Sequence, residues 1–135
     1  MNKKFKILSH LADVKIQIFG KNEKELFLNA LLAMAEIQKG EISGEKKKRQ
    51  VKVQSVDLNG LLVDFLNEVL YLSQVNKEIY SDIEFEKFSD KELKGTLFGQ
   101  KVKSLGEDIK AVTYYDLKIK HEEDKSWTAA VIFDI

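Results

Sequence analysis

The chain has 135 residues, 44% of them apolar and 33% charged, and its 22 basic and 22 acidic side chains cancel. That size and composition predict one globular domain spanning residues 1–135, able to bury a core without covalent staples. The absence of cysteine excludes disulfides, thiolate metal sites and cysteine nucleophiles. The absence of a basic excess argues against strong direct binding of nucleic acid.

Nearly all the positive charge is lysine. Arg49 is the only arginine, so bidentate recognition of phosphate has almost no donor to draw on. No stretch reaches the roughly 18 apolar residues of a membrane span. The apolar run in MNKKFKILSH is also too short for a signal peptide, so no membrane association and a cytoplasmic location are expected.

Phe5 to Leu8 reads as a first strand or its lead-in, and Val14, Ile16 and Ile18 alternate with Lys15 and Gln17 in the period of a half-buried strand that stops at Gly20. Asn22, three residues before Glu25, resembles a capping box. Leu26, Phe27, Ala30, Leu31, Met34 and Ile37 then follow at helical spacing. Glycine and charge over 39–49 predict a loop, with the run Lys46–Arg49 as a solvated linker, and 50–56 predicts a strand through Val51 and Val53. Asp57 is a good N-cap for a second helix. Its apolar stripe (Leu58, Leu61, Leu62, Phe65, Leu66, Val69, Leu72) is wide enough for burial on more than one side. Residues 79–88 and 92–98 predict one hairpin, and 109–119 with 127–134 a second. The sum is an α+β domain of order β-α-β-α-β-β-β-β, two helices packed against mainly antiparallel sheet.

Candidate chemistry is sparse. His10 and His121 are the only imidazoles, and no nucleophile elbow, phosphate-binding glycine loop or paired-histidine motif is present. In "SHLADV", a bend through Leu11–Ala12 would bring His10 and Asp13 to one site, and the alternative is an exposed turn with a solvated aspartate. Asp134 stands in the apolar C-terminal segment "VIFDI". Both faces of that strand are mostly apolar, which predicts a central, well-covered strand. Asp134 either reaches solvent at the sheet end or serves as a ligand. Asp13, Asp134 and the main-chain carboxylate of Ile135 would offer oxygen donors suited to calcium, magnesium or manganese, with His10 tilting the choice toward manganese or zinc. Periodicity alone does not show that the two acids meet.

Four segments in this order, "SHLADVKIQIFG", "VDLNGLLVDFLNEVLYL", "IKAVTYYDLKI" and "WTAAVIFDI", together resemble the archease family from about His10 to Ile135. The resemblance implies an α+β fold and an accessory protein rather than an enzyme. Its partner would be the RtcB-type RNA ligase of tRNA splicing and RNA repair, whose metal- and GTP-dependent guanylylation and multiple turnover it promotes. It implies a divalent-metal site at His10, Asp13, Asp134 and Ile135, with calcium the first expectation and magnesium or manganese the alternatives. It also implies a partner-facing or phosphate-facing role for Lys110, at the head of the family's "KAVTYH" motif. Two positions depart from the pattern: Leu11 replaces the usual threonine, and Tyr115 replaces a histidine and so removes an imidazole. The competing readings are a metal-dependent phosphoester hydrolase using the same carboxylates, and a chaperone-like modulator of RNA-modifying enzymes.

Overall fold

The computed structural model describes residues 3–10, 13–106, 108–114 and 119–135, with the side chains of 8–10 and 114 also outside the description. Its elements run β1 (Phe5–His10), β2 (Asp13–Gly20), α1 (Glu23–Gln38), β3 (Glu41–Gln54), α2 (Leu58–Asn76), β4 (Glu78–Phe88), β5 (Glu92–Ser104), β6 (Ala111–Tyr114), β7 (Lys120–His121) and β8 (Trp127–Asp134). This is the expected α+β order, with the first strand made of two arms. The first arm of the last hairpin is divided between β6 and β7, and residues 115–118 lie outside the described set.

Both helices begin where their capping chemistry places them. Asn22 Oδ1 accepts the Glu25 N–H at 2.8 Å, and Glu25 Oε1 accepts the Lys21 N–H at 2.9 Å. Asp57 Oδ1 accepts the Gly60 N–H at 2.7 Å, satisfying a helix donor that has no partner within the helix. Asp57→Ala should therefore cost about 1 kcal/mol, read as a lower urea midpoint at unchanged slope.

The strands form two antiparallel sheets. One has the order β1-β2-β8-β6, with β7 also pairing β8, and the other has the order β3-β5-β4. Because β2 follows β8 over its whole length, β6 and β7 share the opposite edge of β8. Each helix touches both sheets: α1 packs on β2, β8 and β4, and α2 on β3, β4, β5 and β6. This accounts for the wide stripe on α2. Leu61, Leu62, Phe65, Leu66 and Val69 join Phe27, Met34, Ile16, Leu97, Val131 and Phe133 in one buried cluster drawn from both sheets.

Three local expectations are corrected. The segment 39–49 is not a loop, since β3 starts at Glu41 and pairs with β5 through register shifts near Ile42. Accordingly Lys46–Arg49 is an edge strand rather than a linker, and its lysines serve the common purpose of keeping an exposed edge from pairing with other chains. Finally, β8 is central as expected, but only one of its faces is covered, because Thr128, Ala130 and Ile132 are half-buried and Asp134 is exposed. The sheet β3-β5-β4 also shows why glycine recurs in β5. Register shifts in β4 fall opposite Gly99 and Gly95, where a Cβ would collide with the carbonyls of Ile79 and Glu84.

Candidate metal site

Val14, Ile16 and Ile18 of β2 are buried, which turns Asp13, Lys15, Gln17 and Phe19 to the outer face. In β8 the buried set is Ala129, Val131 and Phe133, so Asp134 also belongs to the outer face. The continuous antiparallel register pairs Asp13 with Asp134, and the two acids from opposite ends of the chain become cross-strand neighbours.

The hydrogen-bond phase brings them closer still. The Phe19 N–H donates to Lys4 O at 3.1 Å, so the odd-numbered residues of β2 aim their main-chain groups at β1. The Lys110 N–H donates to Asp134 O at 2.6 Å, so Asp134 aims its carbonyl toward the β6 edge. Neither residue bonds the other across the ladder. Asp13 and Asp134 are therefore a non-hydrogen-bonded pair, the class with Cα atoms only about 4.5 Å apart and side chains closest. Two carboxylates at such a position repel one another unless positive charge is brought to them. Lys15 stands next along the same face, and the oxygen donors of the pair would suit a hard divalent cation.

The other expected site residues fall as follows. Ile135 is half-buried and its side chain packs on the core. Lys110 is exposed just before β6, tied to Asp134 through its main chain. His10 closes β1 in register with Val14, but its side chain lies outside the described residues. The expected bend at Leu11–Ala12 and the substitution at Tyr115 fall on positions outside them as well. Among the described residues, no group of three or more histidine or acidic side chains gathers at one point.

One polar centre was not foreseen. The lone arginine donates from Nε to Glu78 Oε1 at 2.9 Å and from Nη2 to Glu78 Oε2 at 2.7 Å. Tyr80 Oη donates to Glu78 Oε1 at 2.7 Å. Glu78 has no solvent exposure, whereas the Arg49 side chain is 37% exposed. The guanidinium holds the Glu78 carboxyl below its ordinary range against the opposing effect of burial, and burial pushes the Tyr80 phenol up. Beside it, Gln38 Nε2 donates to Ser73 Oγ at 2.9 Å, and Ser73 Oγ donates to the Glu78 carbonyl. The signal available in the sequence was a single arginine in a chain otherwise using lysine. Its partner depends on the pairing of β3 and β4 with β5, which local pattern does not reveal.

Comparison with known proteins gives one consistent family. The model of the archease protein family matches residues 5–135. The protein archease of Methanosarcina acetivorans is 37% identical over 143 aligned positions, covering 98% of this chain and 97% of the relative. That of Pyrococcus abyssi is 30% identical, covering 98% and 99%. The solution structure of Methanobacterium thermoautotrophicum protein 1598 superposes with a TM-score of 0.71 at 26% identity, covering 98% of this chain and 99% of that one. A Thermotoga maritima crystal structure, described as an archease and possible chaperone, shares the fold with a TM-score of 0.69 at 24% identity over the full length of both.

Proposed function

Because this chain belongs to the archease family, we propose that it is an accessory protein of the RtcB-type RNA ligase, promoting that enzyme's metal- and GTP-dependent guanylylation and its multiple turnover in tRNA splicing or RNA repair. The observation that carries the reading is the register pair Asp13–Asp134, two carboxylates held opposite each other on a solvent-facing sheet surface.

The role of this chain's residues is to bind and present charge, not to break bonds. Asp13 and Asp134 would hold a divalent cation, calcium first and magnesium or manganese as alternatives, with a main-chain oxygen of Ile135 as a third donor. A bound cation supplies positive charge that phosphate oxygens can share. Lys110, tied to Asp134 through the main chain and exposed, would offer an ammonium to a partner or a phosphate. His10 either joins the site or fixes the β1–β2 connection.

Charge distribution supports an assistant rather than an RNA-gripping protein. Basic and acidic residues balance, and the sole guanidinium is already committed to Glu78. Contact with RNA is left to the ligase. Among the described residues no helix is long and apolar enough to cross a membrane, and the proposed setting is the cytoplasm. The description of the Thermotoga maritima protein as a possible chaperone belongs to the same class of action, on a partner protein.

The direct test mixes this protein with the RNA ligase of the same organism and GTP, in calcium, magnesium or manganese. Covalently guanylylated ligase and joined RNA per ligase should both rise, with more than one RNA joined per ligase molecule. Equal yields with and without the protein in every metal would overturn the proposal.

A further inference from the structure

The short strand β6 ends the β1-β2-β8-β6 sheet, and among the described residues its outer edge has no strand neighbour. Its main-chain groups are nevertheless paired, by side-chain amides of α2. Asn67 Oδ1 accepts the Val112 N–H at 2.9 Å, and Asn67 Nδ2 donates to the Val112 carbonyl at 2.9 Å. One carboxamide thus takes the place of the missing strand. The same Nδ2 donates to Val63 O at 3.1 Å, one turn back in α2, which fixes the side chain's direction. Two turns further along the helix, Gln74 Nε2 donates to the Ile109 carbonyl at 2.7 Å. Lys110 and Ala111 are therefore bracketed between two anchors on one helix. From that bracket, the Lys110 N–H reaches Asp134 O at 2.6 Å, and Ala111 stands in register with Asp134.

We propose that Asn67 and Gln74 are positioning residues that clamp the Lys110–Ala111 segment against Asp134 and so hold Asp134 at its spacing from Asp13. This rests on the reading of Asp13 and Asp134 as the cation-binding pair. The physical reason is that β6 is four residues long and buries Val112 as its main anchor. With Asn67 removed, the Val112 N–H and carbonyl lose their partners, and the edge gains freedom that β8 alone does not remove. Residues outside the ligand set that orient the ligands typically change metal affinity by about 10- to 100-fold when lost.

A built-in control exists on the same helix. Asn59 Oδ1 accepts the Ile119 N–H at 2.7 Å, the same kind of bond made away from Asp134. The experiment compares wild type with Asn67→Ala, Gln74→Ala and Asn59→Ala. It reads amide hydrogen exchange at Lys110 and Val112, the affinity for manganese(II) alone by calorimetry, and the urea midpoint. Asn67→Ala and Gln74→Ala should each speed exchange at Lys110 by about tenfold and weaken manganese binding by about tenfold. Asn59→Ala should lower the urea midpoint but leave both readouts at wild-type values. Gln74 is exposed, so its variant keeps the test open if Asn67→Ala does not fold. Wild-type manganese affinity in the clamp variants would overturn the proposal, as would an equal loss in Asn59→Ala, which would mark a general effect of destabilisation. If wild type itself binds no manganese, the reading of the acid pair falls, and the clamp stands or falls on the Lys110 exchange rates.

Discussion

Replacing Glu78 with glutamine should destabilise the protein by on the order of 2–4 kcal/mol at pH 7 and flatten its stability profile on the acid side. Three donors converge on the carboxylate: Arg49 Nε, Arg49 Nη2 and the Tyr80 hydroxyl. A carboxylate accepts all three, but glutamine offers one acceptor oxygen and an NH2 group that must face at least one of the donors. No solvent reaches position 78 to relieve the mismatch.

The pH dependence follows from the direction of the shift. The folded-state pKa of Glu78 lies below the ordinary value of 4.5 because Arg49 favours the ionised form. Its stabilising contribution is therefore fully present above pH 4.5 and is lost as pH falls through the lower folded value. Glu78→Gln removes that dependence, so the gap to wild type should be widest near neutrality and narrow below pH 4. Arg49→Ala should reverse the sign. A buried carboxylate without its cation is stable as the protonated acid, and that variant should lose stability as pH rises through the carboxylate range. Urea midpoints measured from pH 3 to pH 7 check both profiles. Parallel curves for wild type and Glu78→Gln would show that ionisation of Glu78 contributes nothing to the pH dependence, and coincident curves that the pair contributes nothing at all.

Asp13→Asn and Asp134→Asn should behave in the opposite way. Without divalent cation each should be as stable as wild type or slightly more so, because it relieves two like charges facing each other at a close cross-strand position. With calcium added to about 100 times the dissociation constant, wild type should gain about 2.7 kcal/mol by mass action, seen as a rise in melting temperature, and the variants should gain little. A chelator should return wild type to its starting point. A calcium response unchanged in the double variant would place the cation elsewhere.

Much of the architecture was legible because short-range chemistry decides it. Asn22 and Asp57 stand at capping positions before strong helical periodicity, and each helix starts beside its cap. The alternation in β2 likewise fixed which face Asp13 occupies. Range, rather than lack of pattern, explains what was missed. The first half of β3 carries Gly44 and a run of charge that locally resemble a loop, yet the ladder to β5 makes it a strand, and an edge strand is where such charges are tolerated. The Arg49–Glu78 pair depends on two strands meeting a third. The Asn67–Val112 bonds depend on α2 lying against β6, so an asparagine inside a helical stripe gives no local hint of its partner. For Asp13 periodicity assigned the face, but Asp134 stands on a strand whose two faces are both mostly apolar in sequence, and only the β2–β8 register placed it beside Asp13.

The proposed role of the acid pair on this surface is to activate a partner ligase. The most direct measurement is the amount of covalently guanylylated RNA ligase formed with GTP and a divalent cation, in the presence of wild type or of the Asp13→Asn/Asp134→Asn double variant, both shown to be folded. Wild type should raise the yield and the double variant should leave it at the level of ligase alone. A double variant that stimulates as well as wild type would contradict the account.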